Sequence, residues 1–552
     1  MYLEFQSVNK SFERSFRENW IRPAMSNYQG DSLTYAQVCE RILLLHIIFR
    51  QHGLRSGDKI AVCGKNQTGW AVGFLAALSY GAVPVPLLAE FNAENLKFLL
   101  GHSDSKMAFL DSTVWDKLDR DAVLPTLEAV VNITNQDILH SSRGSVEQVR
   151  AAAAAEFGEK YPSGVRAEDV IFHEDSPEEL AMINYTSGTS GFSKGVMVPY
   201  RAVWANISFS LGAEPQMDCT SEIVSLLPLA HMYGMMFEFL HTMYIGAHVY
   251  FLGKLPSPRI ILSAFQGLRP DLIIAVPLII EKVYRSTLKP IAEKYRIALK
   301  IPVVGSIIAH RILKKVDEAF GGRYEEIILG GAPLNPDVEK FLRRIRFRFT
   351  VGYGMTECAP IITYDHWNHT RSGSCGKVVP GCQIKIDSLA EGLIPGEILV
   401  KGDNVFLGYY KNEEATRDCF TPDGWFRTGD MGVLRRGRLY LRGRSKCMIL
   451  SANGQNIYPE ELEAVINSAD YVTESLVVDD SGSLTAIIYP DYTAAAAAGM
   501  DKEAVCAHLN AQLPALNRKL PAYAQLRKLE FLDQDFARTP KHSIRRYLYQ
   551  KK

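Results

Sequence analysis

Short apolar runs separated by helical patterns constrain this chain more than any other feature. Residues 58–64 (DKIAVCG) read as a strand, 68–81 (TGWAVGFLAALSYG) as a helix and 82–88 (AVPVPLL) as the next strand. That rhythm belongs to a parallel sheet covered by helices. It returns in DLIIAVP (271–277), EEIILGG (325–331) and FRFTVGYG (347–354), each an apolar run closed by Gly or Pro. In open α/β sheets ligands bind beyond the carboxyl ends of the strands, so the residues after these three runs are candidates for a site.

From residue 384 the pattern changes. IKIDS, GEILVKG and GVLRRGRLYLRGR are short alternating strands with glycine turns, which predicts a small antiparallel or barrel-like unit. The last hundred or so residues mix helices (PEELEAVINS, DKEAVCAHLNAQL) with strands (SLVVDD, LTAIIYP), an α+β pattern. A charged stretch at residues 444–446, between two apolar runs, marks the main boundary. The alanine run 151–155 reads as an exposed helix, and 494–498 as a linker or helix start.

Composition then removes whole classes. At about 150 residues per domain, 552 residues suggest three to four folding units. Lys+Arg and Asp+Glu both number 61, so a nucleic-acid binder relying on a strongly basic surface is disfavoured and no nucleic-acid partner is expected. The nine cysteines are scattered without a CxxC pair, which favours reduced thiols in a cytoplasmic protein over disulfides or zinc. The charged N-terminal stretch has no apolar h-region, and the apolar runs 260–265 and 272–280 are too short to span a bilayer. A soluble protein is expected, and contact with a membrane surface stays open.

The strongest chemical signal is YTSGTSGFSKG at 185–195. Its glycines let the backbone turn and present N–H groups as an anion nest. Thr186, Ser187, Thr189 and Ser190 add hydroxyl donors around Gly188 and Gly191, and Lys194 adds a positive charge. The combination suits a polyphosphate. It is not a Walker A loop, because the glycine spacing differs and Gly195 follows the lysine. A Gly/Ser linker would not need a lysine between two apolar strand-like runs.

With this loop the chain resembles the adenylate-forming acyl-CoA synthetases, a family that includes luciferases and peptide-synthetase adenylation domains. Ser193 stands where proline is usual. LPLAHMYG (227–234) resembles the family's segment beside the acyl pocket, and GGAPL (330–334) and GYGMTE (352–357) its adenine-binding strand ends. GEILVKG, DGWFRTGD (423–430), LRGRSKCMI and NGQNIYPEELE follow in the family's order. The resemblance implies a large α/β N-terminal domain, of layered sheets with helices plus a small distorted β-barrel, over residues 1–443. It further implies a hinge at 444–446 and a smaller, mobile α+β C-terminal domain over 447–552.

Site roles follow from the same resemblance. Gly331, Ala332, Pro333, Tyr353 and Gly354 would surround the adenine of ATP, with the Tyr353 ring stacked on it. Thr356 would reach the α-phosphate and Glu357 would hold Mg²⁺, which prefers hard oxygen ligands. Asp430 would accept from the ribose hydroxyls, and Arg444 would contact ribose or phosphate. His231 and Gly330 would lie beside the acyl substrate, Gly454 beside the pantetheine arm of coenzyme A, and Lys446 at the hinge. His366 and His369 lack matching ligands for zinc.

One departure concerns the C-terminal lysine of the family's GKIxR tail. Here the tail reads RTPKHSIRRYLY, which aligns Ser543 with that lysine and leaves Lys541 as the nearest substitute. The implied reaction converts a carboxylic acid and ATP to acyl-AMP and pyrophosphate, then transfers the acyl group to coenzyme A with release of AMP. The Met- and aromatic-rich MYGMMFEFLHTMY (232–244) suits an apolar tunnel for a medium- or long-chain fatty acid, although a buried helix would look the same. An aryl acid, transfer to an acyl-carrier protein, or a silent nucleotide or acyl sensor stand as alternatives.

Overall fold

A computed structural model describes residues 3–187, 193–253, 257–295, 297–450, 456–480, 483–539 and 544–550. The first apolar rhythm forms a five-stranded sheet in which Val83–Leu87, Lys59–Cys63, Ser105–Leu110 and Ala129–Asn132 run parallel, with Ile138–Ser141 antiparallel at the edge. The helix Thr68–Ser79 is buried along its whole length. A Cβ on Gly69 would lie 1.7 Å from the Ile133 carbonyl oxygen, so only glycine allows the helix this close to the chain leaving the sheet. The neighbouring helix Tyr35–Gln51 begins in a capping box. The Thr34 hydroxyl accepts from the Gln37 N–H while the Gln37 side chain accepts from the Thr34 N–H.

The three runs ending in Gly or Pro are adjacent parallel strands, Ile273–Ala275, Ile327–Leu329 and Phe349–Val351. Ala275, Leu329 and Val351 pair across the sheet, so all three strands end at the same level. An Ile223–Leu272 bridge joins them to a mixed four-stranded sheet of Glu222–Ser225, His248–Phe251, Pro23–Asn27 and Ser32–Thr34. Each strand of the triplet is mostly buried, as continuous apolar runs require when helices cover both faces.

The hydroxyl-rich segment joins Leu180–Ser187 to Ser193–Pro199, an antiparallel pair extended by Gly408–Tyr409. The later short strands form a seven-stranded antiparallel sheet where a small distorted barrel is expected. Beyond it, Val472–Asp480, Ser483–Pro490 and Leu526–Phe531 form a separate three-stranded sheet. With the helices Pro459–Ile466 and Lys502–Asn517 it encloses its own apolar core. This matches the α/β body and smaller α+β unit expected from the sequence.

The alanine run 151–155 lies in the helix Val146–Lys160, of which only Val149 and Ala153 are buried. The second run forms the short helix Tyr492–Ala497, capped by Asp491. MYGMMFEFLHTMY folds as a buried helical stretch whose middle, Met235–Leu240, is wound as a π-helix. Among the described residues no helix is long and apolar enough to cross a membrane.

Candidate active site

The level strand ends build one wall of the site. The Gly330 N–H donates to Ala275 O (3.2 Å) and the Gly352 N–H to Leu329 O (2.9 Å), so each chain turns off the sheet at the same height. Gly331 adopts φ +81°, a left-handed conformation that favours glycine. Gly331, Ala332 and Pro333 are exposed there. Gly330 lies beneath them, where a Cβ would come within 3.0 Å of the Tyr233 ring. Tyr233 donates to Ile328 O (3.0 Å), which ties the loop carrying His231 to the glycine turn.

That loop is held from three sides. Glu238, on the π-helical turn, accepts from the Leu226 N–H (3.0 Å), the Leu227 N–H and the Ser225 hydroxyl. Burial pushes its carboxyl up to about 8. Asn66 donates to Leu227 O and accepts from the Leu229 N–H, and Asn184 donates to Ala230 O. His231 is half-buried at the loop's end, and its own N–H donates to Pro228 O (2.9 Å).

Tyr353, Gly354, Thr356 and Glu357 follow the third strand. Gly354 admits no side chain, because a Cβ would lie 2.2 Å from Pro360 O. The Tyr353 hydroxyl donates to Asp430 Oδ2 at 2.8 Å, although the two residues are 77 positions apart. Arg444 Nε lies 3.3 Å from Asp430 Oδ1. The carboxylate expected to take ribose hydroxyls is thus already engaged on both oxygens. Its pKa is raised by burial, against the opposing pull of Arg444. Tyr353 is only 7% exposed, so little of it is open to a stacked base.

Thr186 and Lys194 are cross-strand partners in the hairpin, with Ser187 paired to Ser193. Lys194 Nζ lies 4.5 Å from the centre of the Tyr409 ring. The Tyr409 hydroxyl donates to Glu357 Oε1 at 3.0 Å. Tyr409 therefore links the lysine of the phosphate loop to the carboxylate expected to hold the metal. Glu357 forms no ion pair with a described residue, which leaves its charge for a cation. A single carboxylate sharing Mg²⁺ with phosphates fits that ion's preference for few protein ligands. His366 faces Asn368 and Glu325, and among the described residues no cluster of three metal-ligating side chains occurs.

Gly188, Thr189, Ser190, Gly191, Gly454 and Lys541, with Ser543, lie outside the described residues. Lys446 is exposed in the single turn Ser445–Cys447 that follows the strand ending at Arg444. Tyr409, Glu238, Asn66, Asn184 and Tyr233 are the residues sequence reading missed. Tyr233 lies within a recognised motif, but nothing local distinguishes the others from ordinary core or loop positions.

An α/β body with level strand ends and glycine turns, joined through Tyr409 and Glu357 to a lysine-bearing hairpin, has the features of a nucleotide-binding protein. The chain belongs to the AMP-binding enzyme family, whose profile matches residues 12–410, and the profile of that family's C-terminal domain matches residues 447–552. It is 30% identical over 470 residues to long chain acyl-CoA synthetase 7, peroxisomal, of Arabidopsis thaliana, covering 80% of this chain and 66% of that protein. It is 27% identical over 475 residues to the long-chain-fatty-acid--CoA ligase FadD15 of Mycobacterium bovis, covering 81% of this chain and 75% of that one. The chain thus spans about two thirds of the length of the plant protein. ATP-bound MatB from Rhodopseudomonas palustris shares the fold, with a TM-score of 0.77 at 23% identity over 99% of this chain and 98% of that one.

Proposed function

We propose that the protein activates a medium- or long-chain fatty acid to acyl-AMP at the expense of ATP, then transfers the acyl group to coenzyme A. The observation that carries this is the convergence of Lys194, Tyr409 and Glu357 on one side and Tyr353, Asp430 and Arg444 on the other, about the level strand ends. The names of the plant and mycobacterial relatives support a long acyl chain.

The residues divide the work by chemistry. Gly331, Ala332 and Pro333 offer an exposed ledge of small residues for the adenine, on which Tyr353 would stack. Asp430 exchanges its Tyr353 and Arg444 contacts for the ribose hydroxyls. Thr186, Ser187, Gly188, Thr189, Ser190 and Gly191 wrap the phosphates, with Lys194 placing charge beside them. Glu357 would hold Mg²⁺, which when bound supplies neutralising charge to phosphate oxygens. Thr356 contacts the α-phosphate, and His231 and Gly330 face the fatty acid carboxylate. Donors and charges placed around the phosphates favour attack of that carboxylate on phosphorus. Lys541 serves the adenylation step, residues 444–446 form the hinge between units 1–443 and 447–552, and Gly454 is assigned to the pantetheine arm of coenzyme A.

ATP–pyrophosphate exchange over straight-chain acids of increasing length, with aryl acids beside them, tests the reading. Exchange greatest with long straight-chain acids, and thioester formed when coenzyme A is added, is expected. Exchange with aryl acids alone would overturn the substrate, and nucleotide binding without exchange would overturn the enzyme.

A further inference from the structure

We propose that the surface around the start of the helix Pro302–Ala319 docks on an anionic lipid bilayer. Five aliphatic side chains stand out there: Ile297 is 75% exposed, Val303 73%, Ile307 52%, Ile301 48% and Val304 44%. The opposite side of the helix, through Ile312 and Val316, packs in the core of the three-stranded parallel sheet. A Cβ on Gly305 would lie 2.4 Å from Leu299 O, so the helix start is pressed onto the preceding turn and its apolar side chains are held outward.

Basic residues outnumber acids near this tip. His310, Arg311, Lys314 and Lys315 are exposed along the same helix, and positions 303, 307, 311 and 314 share one face. None of Arg311, Lys314 and Lys315 forms an ion pair with a described residue. Residues 289–315 contain seven Lys or Arg (Lys289, Lys294, Arg296, Lys300, Arg311, Lys314, Lys315) against one acid, Glu293, in a chain of zero net charge, and of these Lys289 is ion-paired with Glu293 and Asp470. Clustered aliphatic groups exposed to water are unfavourable, and the basic rim would repel a second copy of the same face. An interface that accepts apolar side chains and surrounds them with phosphates satisfies both features, and the long stems of Lys and Arg reach such phosphates. None of these residues belongs to the nucleotide site.

Sedimentation of the full chain with vesicles of phosphatidylcholine, alone or with about one third phosphatidylserine, tests the proposal. Binding to the anionic vesicles is expected, weakened by salt. Each basic residue near such a surface contributes about 1 kcal/mol, roughly fivefold in partitioning, so Arg311→Gln/Lys314→Gln/Lys315→Gln should lower binding about a hundredfold. Val303→Ser/Ile307→Ser should lower it independently of lipid charge. Both variants change exposed positions and should keep the wild-type circular dichroism and exchange with a water-soluble acid. A wild type that stays in solution would overturn the proposal, as would variants that bind like wild type. A dimer abolished by Val303→Ser/Ile307→Ser, with no vesicle binding, would reassign the face to self-association.

Discussion

Replacing Tyr409 by phenylalanine removes one hydroxyl from the centre of the site and leaves the ring in place. That hydroxyl donates to Glu357 Oε1 at 3.0 Å, and both residues are buried. Burial, then the Glu357 charge, raise its pKa, so it remains a donor throughout the working pH range. A hydrogen bond to a charged group contributes roughly 1.5–3 kcal/mol, which is about ten- to a hundredfold in rate if it is needed in the transition state. The phenylalanine ring would still lie under Lys194 and against Phe406, so the cation–π contact at 4.5 Å and the edge contact at 5.0 Å survive. The loss therefore falls on the orientation of Glu357. We expect kcat/KM for pyrophosphate exchange to fall about ten- to a hundredfold at low Mg²⁺ and to recover in part at saturating Mg²⁺. Glu357→Gln, which leaves only an uncharged oxygen for a hard cation, should lose most exchange at any Mg²⁺ concentration. Unchanged kcat/KM for Tyr409→Phe across the Mg²⁺ range, with Glu357→Gln inactive, would refute the role given to the tyrosine.

Lys446→Pro fixes one φ angle and removes a donor at the proposed hinge, so thioester formation should suffer more than adenylation when the half-reactions are assayed separately. Lys541→Ala should lower acyl-AMP formation roughly a hundred- to a thousandfold, while supplied acyl-AMP is still converted to thioester and Ser543→Ala changes neither step. Glu214 and Glu326 face each other across the Tyr364 hydroxyl, beside Gln216, Glu325 and His366. Burial, then the Glu326 charge, push Glu214 up from 4.5 to about 8. A raised carboxyl pKa means the native state keeps a proton that the unfolded chain releases, so stability falls as pH climbs through that interval. Glu214→Gln should flatten the Tm profile between these limits and raise Tm at the alkaline end. Parallel profiles for variant and wild type would exclude the pair as the source.

Local chemistry made much of this protein legible before folding. Apolar runs closed by glycine at 325–331 and 347–354 announce strand ends, because left-handed turns such as Gly331 at φ +81° favour glycine. Hydroxyls, glycines and a lysine between strand-like runs announce an anion loop for the same reason: the pattern is contiguous. The tertiary structure alone decided which distant groups meet. Tyr353 and Asp430 bond across 77 positions, and Tyr409 reaches both Glu357 and Lys194 from a two-residue strand with no pattern of its own. Glu238 reads as an ordinary helix acid until burial aims its carboxylate at the N–H groups of Leu226 and Leu227. Nor does hydropathy separate Val303 and Ile307 from core residues, since their exposure depends on which face of the helix the sheet claims. Periodicity records the environment along one element, whereas pairing and burial depend on elements that the chain brings together only on folding.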